Sequence, residues 1–125
     1  EIHQGKVNAS VSIVLKSGVI LTSNVTNSAI EDLGLDIGDT VVAIIKASSV
    51  LIAPCSDITI SACNKLMGII TDVKFGEVNV QISLDIGQND IVASTITRES
   101  LKSLQVSVGS HVYAIIKSSD ILIGK

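Results

Sequence analysis

At 125 residues, the chain has room for one ordinary domain or for two small units sharing a core. Apolar residues make up 46% and charged residues 17%, which excludes a disordered chain, and the weight of Val and Ile against one Tyr, one Phe and no Trp favours strands and disfavours a base-stacking surface for single-stranded nucleic acid. A net charge of −3 excludes a general electrostatic pull toward DNA, RNA or acidic membranes, so an anion ligand has to be held by local donors.

In chain order, Val7 to Leu15 reads as a strand, Lys16-Ser17-Gly18 as its turn and Val19 to Val25 as the return strand. Thr26 opens a short helix as a candidate N-cap, with Ile30 and Leu33 three apart on the inner face. The helix stops near Gly34, a turn follows at Gly38, and a pair of apolar strands beginning with Ala43-Ile44-Ile45 closes the unit. Ala53-Pro54-Cys55-Ser56-Asp57 holds the only proline and reads as a linker.

Beyond it, Leu66 to Lys74 alternates loosely and ends at the turn Phe75-Gly76. Val78, Val80, Ile82 and Leu84 alternate with Asn79, Gln81 and Ser83, the period-two signature of a strand with one buried face. Gly87-Gln88-Asn89-Asp90 is a hairpin turn and Ile91 to Ile96 the return strand. Thr97-Arg98-Glu99-Ser100 then opens a second helix, with Leu101 and Leu104 inward and a stop near Gln105. After a turn at Gly109, His111 to Lys117 and Asp120 to Ile123 form the closing strand pair.

The two halves are one unit written twice. Gly5-Lys6-Val7-Asn8 aligns with Gly76-Glu77-Val78-Asn79, Thr26 with Thr97, Leu33 with Leu104, Gly38 with Gly109, and Ala43-Ile44-Ile45-Lys46 with Ala114-Ile115-Ile116-Lys117. The offset is 71 at every anchor (5 to 76, 26 to 97, 46 to 117), so no gap is needed. The expected fold is all-β: tandem OB-like Greek-key barrels, each of about five strands with one short helix, a flatter antiparallel sandwich being the alternative. The expected division is a first unit over 1–53, a linker over 54–57 and a second unit over 58–125. The first unit lacks a counterpart of Ser61 to Thr71; either an upstream strand was cut away or a neighbouring chain supplies it. The chain opens on Glu1, which raises the expectation of a fragment.

Lys46-Ala47-Ser48 and Lys117-Ser118-Ser119 each put an ammonium beside a hydroxyl and backbone N–H groups at a strand end. That grouping suits a tetrahedral dianion, which needs several converging donors and one compensating charge; it equally suits a solubilising lysine before a turn. Thr26 and Thr97 stand at helix starts, as caps or as anion donors, and Ser100 adds a hydroxyl that its counterpart Ala29 lacks. Ser61-Ala62-Cys63-Asn64 offers further hydroxyl, amide and backbone donors at a strand entry. Cys55 and Cys63 read as two free buried thiols, a disulfide between them being the alternative, and neither His nor Arg adjoins Cys63 to activate it. His3 and His111 are unmatched between repeats, so no repeated metal site is expected. No Ser–His–Asp order, Walker loop or paired-carboxylate pattern is present, and the chain does not read as an enzyme. It contains no unbroken apolar run long enough to span a bilayer.

Together these segments resemble the Mop family of small molybdate-binding proteins, the molbindins, whose units recur in the molybdate-responsive transcription regulator and in the molybdate importer's ATPase subunit. The family pattern Ser-Ala-Arg-Asn-x-Leu-x-Gly is met by Ser61-Ala62-Cys63-Asn64-Lys65-Leu66-Met67-Gly68, and Gly-x-Val-Asn by Gly76-Glu77-Val78-Asn79 and Gly5-Lys6-Val7-Asn8. Ile-Thr-x-x-Ser is met by Ile96-Thr97-Arg98-Glu99-Ser100, with Val25-Thr26 in the first unit. The closing Ile-Lys-Ala-Ser/Thr-x-Val is met by Ile45-Lys46-Ala47-Ser48-Ser49-Val50 and Ile116-Lys117-Ser118-Ser119-Asp120-Ile121.

The resemblance implies OB-like barrels with oxyanion sites at interfaces between units. It assigns molybdate or tungstate to Ser61, Ala62, Cys63 and Asn64 of one unit, with Thr26, Thr97, Ser100, Lys46, Ala47, Ser48, Lys117, Ser118 and Ser119 packed near. A weaker second kind of site is implied at the backbone of Gly5, Val7, Asn8, Gly76, Val78 and Asn79, near a symmetry axis. It further implies a cytoplasmic protein that binds or stores the anion without turnover, with no organic cofactor and no metal held directly by side chains. The implied partners are the oxyanion and copies of the same chain, a trimer of tandem chains closing six units, with neither nucleic acid nor membrane bound. Two departures count: Cys63 stands where the family has Arg, and the first unit has no such segment. The rival expectations are a sensing module from a regulator or importer ATPase, and a structural repeat that has lost binding.

Overall fold

The computed structural model describes residues 1–54, 59–61 and 64–125. The first repeat runs β1 (Ile2–Gln4), β2 (Asn8–Val14), β3 (Ile20–Thr26), α1 (Asn27–Leu33), β4 (Val42–Ile45), a 3-10 turn (Ala47–Ser49) and β5 (Leu51–Pro54). The second runs β6 (Asn64–Phe75), β7 (Asn79–Asp85), β8 (Ile91–Thr97), α2 (Arg98–Leu104), β9 (His111–Ile116), a 3-10 turn (Ser118–Asp120) and β10 (Ile121–Gly124). Alternation drives the strands as read: Val80, Ile82 and Leu84 are fully buried on one face of β7, and Ala9, Val11 and Ile13 are their buried counterparts on β2. Ala53 and Pro54 are the last residues of β5, an edge strand where a missing N–H costs no ladder bond, while Cys55, Ser56 and Asp57 lie outside the described residues.

Each helix starts and stops for the same reason. Thr26 and Thr97 adopt extended backbone and accept a hydrogen bond from the third residue on, the Ala29 and Ser100 N–H, respectively, each at 3.1 Å. Gly34 ends α1 in the left-handed region at φ 58°. In α2 that conformation falls to Gln105, at φ 54°.

Among the described residues, the strands form three sheets, in the orders β1-β2-β3, β10-β4 and β5-β9-β6-β7-β8. The closing strands are exchanged. β5 of the first repeat pairs with β9 of the second, Leu51 opposite Ile115; β10 of the second pairs with β4 of the first, Leu122 opposite Ile44. Subtracting the repeat offset turns one pairing into the other, so the exchange is a pseudo-two-fold relation. Two buried serines fix it. Ser23 on β3 donates to the Ile121 carbonyl and Ser94 on β8 to the Val50 carbonyl, both at 2.6 Å. Val50 and Ile121, the residues just after the 3-10 turns, are themselves buried, and one apolar cluster takes residues from both repeats. The sequence reading had no signal for this exchange.

Candidate functional site

Asn64 is the first residue of β6 and is 2% exposed. Its Oδ1 accepts from the Thr22 N–H at 2.7 Å, and its Nδ2 donates to the Thr22 carbonyl at 2.8 Å and the Ile116 carbonyl at 3.2 Å. A neutral amide has two donor hydrogens, and both are used. Asn64 therefore ties the start of β6 to β3 of the first repeat and to the end of β9 that leads into Lys117. Ser61 is exposed; Ala62 and Cys63 lie outside the described residues.

Lys117 follows Ile116 directly, and the turn Ser118–Asp120 packs on β3, where Ser23 holds the Ile121 carbonyl. The structure thus brings Asn64, Lys117 and Ser118 to one strand end, beside Thr22 and Ser23 of the other repeat. The symmetric cluster pairs Lys46, Ala47 and Ser48 with β8 around Ser94. In each turn the first internal bond is to the lysine carbonyl, from Ser49 at 2.9 Å and from Asp120 at 3.0 Å. The amides of Ala47, Ser48, Ser118 and Ser119 precede that bond and have no acceptor within the turn. Lys46, Ser48, Lys117 and Ser119 are exposed, and neither lysine enters an ion pair among the described residues. Among the described residues, each cluster groups one exposed lysine with hydroxyls and two turn amides that have no acceptor within the turn, a donor set suited to a dianion.

Thr26 and Thr97 are placed elsewhere. Each ends its strand, four residues beyond Thr22 or Ala93, which is roughly 13 Å of extended chain. Thr97 donates to the Ser100 hydroxyl at 2.9 Å, and both lie in a cavity of about 370 Å³ with Ile52, Glu99, Ser103 and Leu104. Within one chain, the threonines and the Lys–Ser turns do not share a cluster.

The Gly-x-Val-Asn segments build a pair of clamps between a tight turn and a helix start. The N–H of Gly5 donates to the Asn8 carbonyl and that of Gly76 to the Asn79 carbonyl, both at 2.8 Å. The Val7 carbonyl accepts from the Asn27 N–H, and the Val78 carbonyl from the Arg98 N–H. A Cβ on Gly5 or Gly76 would stand 3.1 or 3.0 Å from those asparagine carbonyls, so the turn needs glycine for its close approach. Of the backbone donors at these turns, the Gly5 and Gly76 N–H groups are used by the turn itself.

Sequence reasoning missed three residues that shape this region. Ser23 and Ser94 look like ordinary polar positions of a half-buried strand, and only the strand exchange reveals their acceptors. The third, Thr22, contributes main-chain groups alone and has no side-chain signal.

The TOBE-domain profile matches residues 1–52 and 60–123. The chain is 38% identical over 120 residues to the molybdenum-pterin-binding protein MopA of Rhodobacter capsulatus, covering 95% of this chain and 45% of that one. It is 30% identical over 119 residues to the molybdenum transport protein ModE of Azotobacter vinelandii, covering 95% and 44%. The chain therefore spans about half the length of these curated relatives. Among solved structures, the cytoplasmic molybdate-binding protein ModG, in a form with molybdate bound, superposes with a TM-score of 0.94 at 33% identity, covering 98% of this chain and 88% of that one. That match fits the tandem OB-like reading of the fold.

Proposed function

The chain belongs to the TOBE-domain family as a tandem Mop-type protein, and from that premise we propose that it binds molybdate, or tungstate of the same shape and charge, without turning it over. The observation that carries this reading is the match of nearly the whole chain to a molybdate-bound relative, and the local donor sets agree with it. With a net charge of −3, the chain attracts a dianion only where donors converge. The turns after Lys46 and Lys117 are such places, each seated on the opposite repeat. Charge alone does not separate molybdate from sulfate; the number of donors and the span between them do.

Two observations support a complete site shared between chains. Thr26, Thr97 and Ser100 stand at the far strand ends from the lysines, so a second chain has to bring the two groups together. Two sheets also carry exposed apolar residues: Val42, Ile44 and Leu122 on the β10-β4 pair, and Leu51, Met67 and Ile69 on the five-stranded sheet. Such faces suit burial against copies of the chain. A closed trimer of tandem chains, with six units, is the assembly we assign, in the cytoplasm. No helix among the described residues is long and apolar enough to cross a membrane.

Isothermal titration with molybdate, tungstate and sulfate at micromolar protein tests the reading. Saturable heat with the first two and none with sulfate is the predicted result; no heat with molybdate or tungstate overturns it. Cys63→Arg restores the charge that the family pattern has there and is predicted to strengthen binding. If the native chain and this variant are both silent, the repeat is structural. The similarity to ModE supports a second reading, in which the same anion site serves as the sensing module of a longer regulator.

A further inference from the structure

The seam between the two repeats is held by contacts of two kinds. The exchanged strands are repeated contacts, and so are the bonds from Ser23 and Ser94 to the Ile121 and Val50 carbonyls, which the repeat offset turns into one another. Asn64 belongs with them, because at β3 it holds only main-chain groups of Thr22, which Ala93 also has at the matching position of β8. Contacts of this kind would hold two like repeats as well as two unlike ones.

Three others are not repeated. Lys16, in the turn between β2 and β3, places Nζ 3.9 Å from Asp90 Oδ1 in the turn between β7 and β8. The second oxygen of Asp90, Oδ2, is buried and has no hydrogen-bond partner among the described residues. Lys125 Nζ donates to the Gly34 carbonyl at 2.7 Å and pairs with Asp39 Oδ2 at 2.9 Å. The two hairpin turns also meet closely at Gly87, where a Cβ would stand 3.1 Å from Ser17 Cβ. By the repeat offset, the counterparts of Lys16, Asp90, Lys125 and Asp39 are Gly87, Val19, Pro54 and Ser110, none of them charged.

We propose that these three contacts choose the partner: a first repeat closes on a second repeat, and a second copy of its own kind is rejected. Two first repeats joined at this seam would put Lys16 where Gly87 stands, driving its Cβ against Ser17, and would turn Asp39 toward Pro54. Two second repeats would turn Asp90 toward Gly87 and Lys125 toward Ser110, leaving a carboxylate with one buried oxygen and no cation. The turn after each helix shows that the charge on Asp39 is not needed locally. Asp39 Oδ2 accepts from the Asp36 N–H at 2.8 Å, and Ser110 Oγ accepts from the Ser107 N–H at 3.0 Å in the matching turn. A hydroxyl suffices for that turn, so the added charge serves Lys125. Exposed ion pairs contribute little to stability, but in a mispaired seam the lost attraction and the stranded charge add together, which is how charge discriminates between partners. Each repeat pair then carries one Lys46 crossing and one Lys117 crossing, never two alike. The inference rests on the strand exchange and is independent of which anion binds.

For the test, the full chain is refolded from denaturant over a range of concentrations, and the mass of the soluble species is read by light scattering beside the thermal midpoint. The native chain is predicted to return to one mass throughout. Lys16→Asp with Lys125→Glu sets acids against Asp90 and Asp39. This variant is predicted to lower the midpoint and to raise the fraction of chains above the native mass by about tenfold, as like repeats of different chains pair. Lys16→Asp with Asp90→Lys restores opposite charges and is predicted to return the native mass. Should the doubly reversed chain not refold, Lys16→Met with Lys125→Met is read in its place, with the same shift to higher mass at smaller amplitude. A native mass distribution in the reversed or neutral chain overturns the proposal even if the midpoint falls, because the pairs then stabilise the seam without choosing the partner. A charge swap that leaves the heavier species in place overturns it as well.

Discussion

Asn64 spends its whole amide on three main-chain groups of two different strands, and the consequences are separable from anion contact. Asn64→Ala leaves the Thr22 N–H and carbonyl and the Ile116 carbonyl without that partner, at a cost of about 2 kcal/mol or more in denaturant unfolding, since stranded polar groups cost roughly 1–3 kcal/mol each. A loss within a few tenths of a kcal/mol would mean that water replaces the amide and that Asn64 positions nothing. Asp39 offers a pH signature. The Asp36 N–H, donating to Oδ2 at 2.8 Å, and then Lys125, at 2.9 Å, hold its carboxyl below the ordinary value of 3.8. A depressed carboxyl stabilises the fold fully above that ordinary value and loses the contribution as the pH falls below it. Asp39→Asn is therefore predicted to lower stability at neutral pH and to flatten the acid limb of the stability profile; an unchanged acid limb would contradict the assignment. Lys46, Lys117 and the threonines were legible in the sequence because the repeat presents them twice. The Asn64 role was not, because its partner Thr22 lies 42 positions away and contributes only main chain.

Among the elements, the two short helices differ at one informative place. α1 ends on Gly34 and α2 on Gln105, both left-handed. A residue with a Cβ pays roughly 1 kcal/mol there, so Gln105→Gly is predicted to raise stability by about 1 kcal/mol and Gly34→Ala to lower it by a similar amount. Equal thermal midpoints for Gln105→Gly and the native chain would contradict the assignment. The caps also allow the anion role of Thr97 to be separated from its structural one. Thr97→Asp keeps a good N-cap and adds negative charge, so it is predicted to leave stability within about 0.5 kcal/mol of native while weakening molybdate binding in titration. If binding is unchanged, Thr97 caps the helix and does no more. Strands, turns and helices were legible from period-two alternation and from the Thr and Gly signals. The last turn of α2 was harder to read, because Gln carries no stop signal.

At the scale of the whole molecule, the repeats are joined by exchange of their closing strands. Val50-Leu51-Ile52-Ala53 and Ile121-Leu122-Ile123-Gly124 are nearly the same apolar run. Alternation fixes which face of a strand is buried and leaves its partner open, so the sequence could not tell own sheet from other sheet. A chain ending at Asp120 distinguishes them. Loss of β10 is predicted to speed hydrogen exchange in β3 and β4 of the first repeat by about tenfold or more, with β9 keeping its protection from β5 and β6. If the loss appears in β9 instead, each repeat is closed by its own strand. The exchange also explains why the donor sets sit where they do, since each Lys–Ser turn immediately precedes a strand that crosses to the other repeat.

The central claim is that the anion is held at these crossings, and the most direct measurement is an anomalous difference map from crystals of the full chain grown with tungstate. Peaks are predicted beside Lys117 and Ser118 near the Ser61-to-Asn64 segment, with Thr97 or Thr26 of a neighbouring chain completing the shell. Peaks only at the Gly5 and Gly76 turns, or none at any Lys–Ser turn, would contradict it.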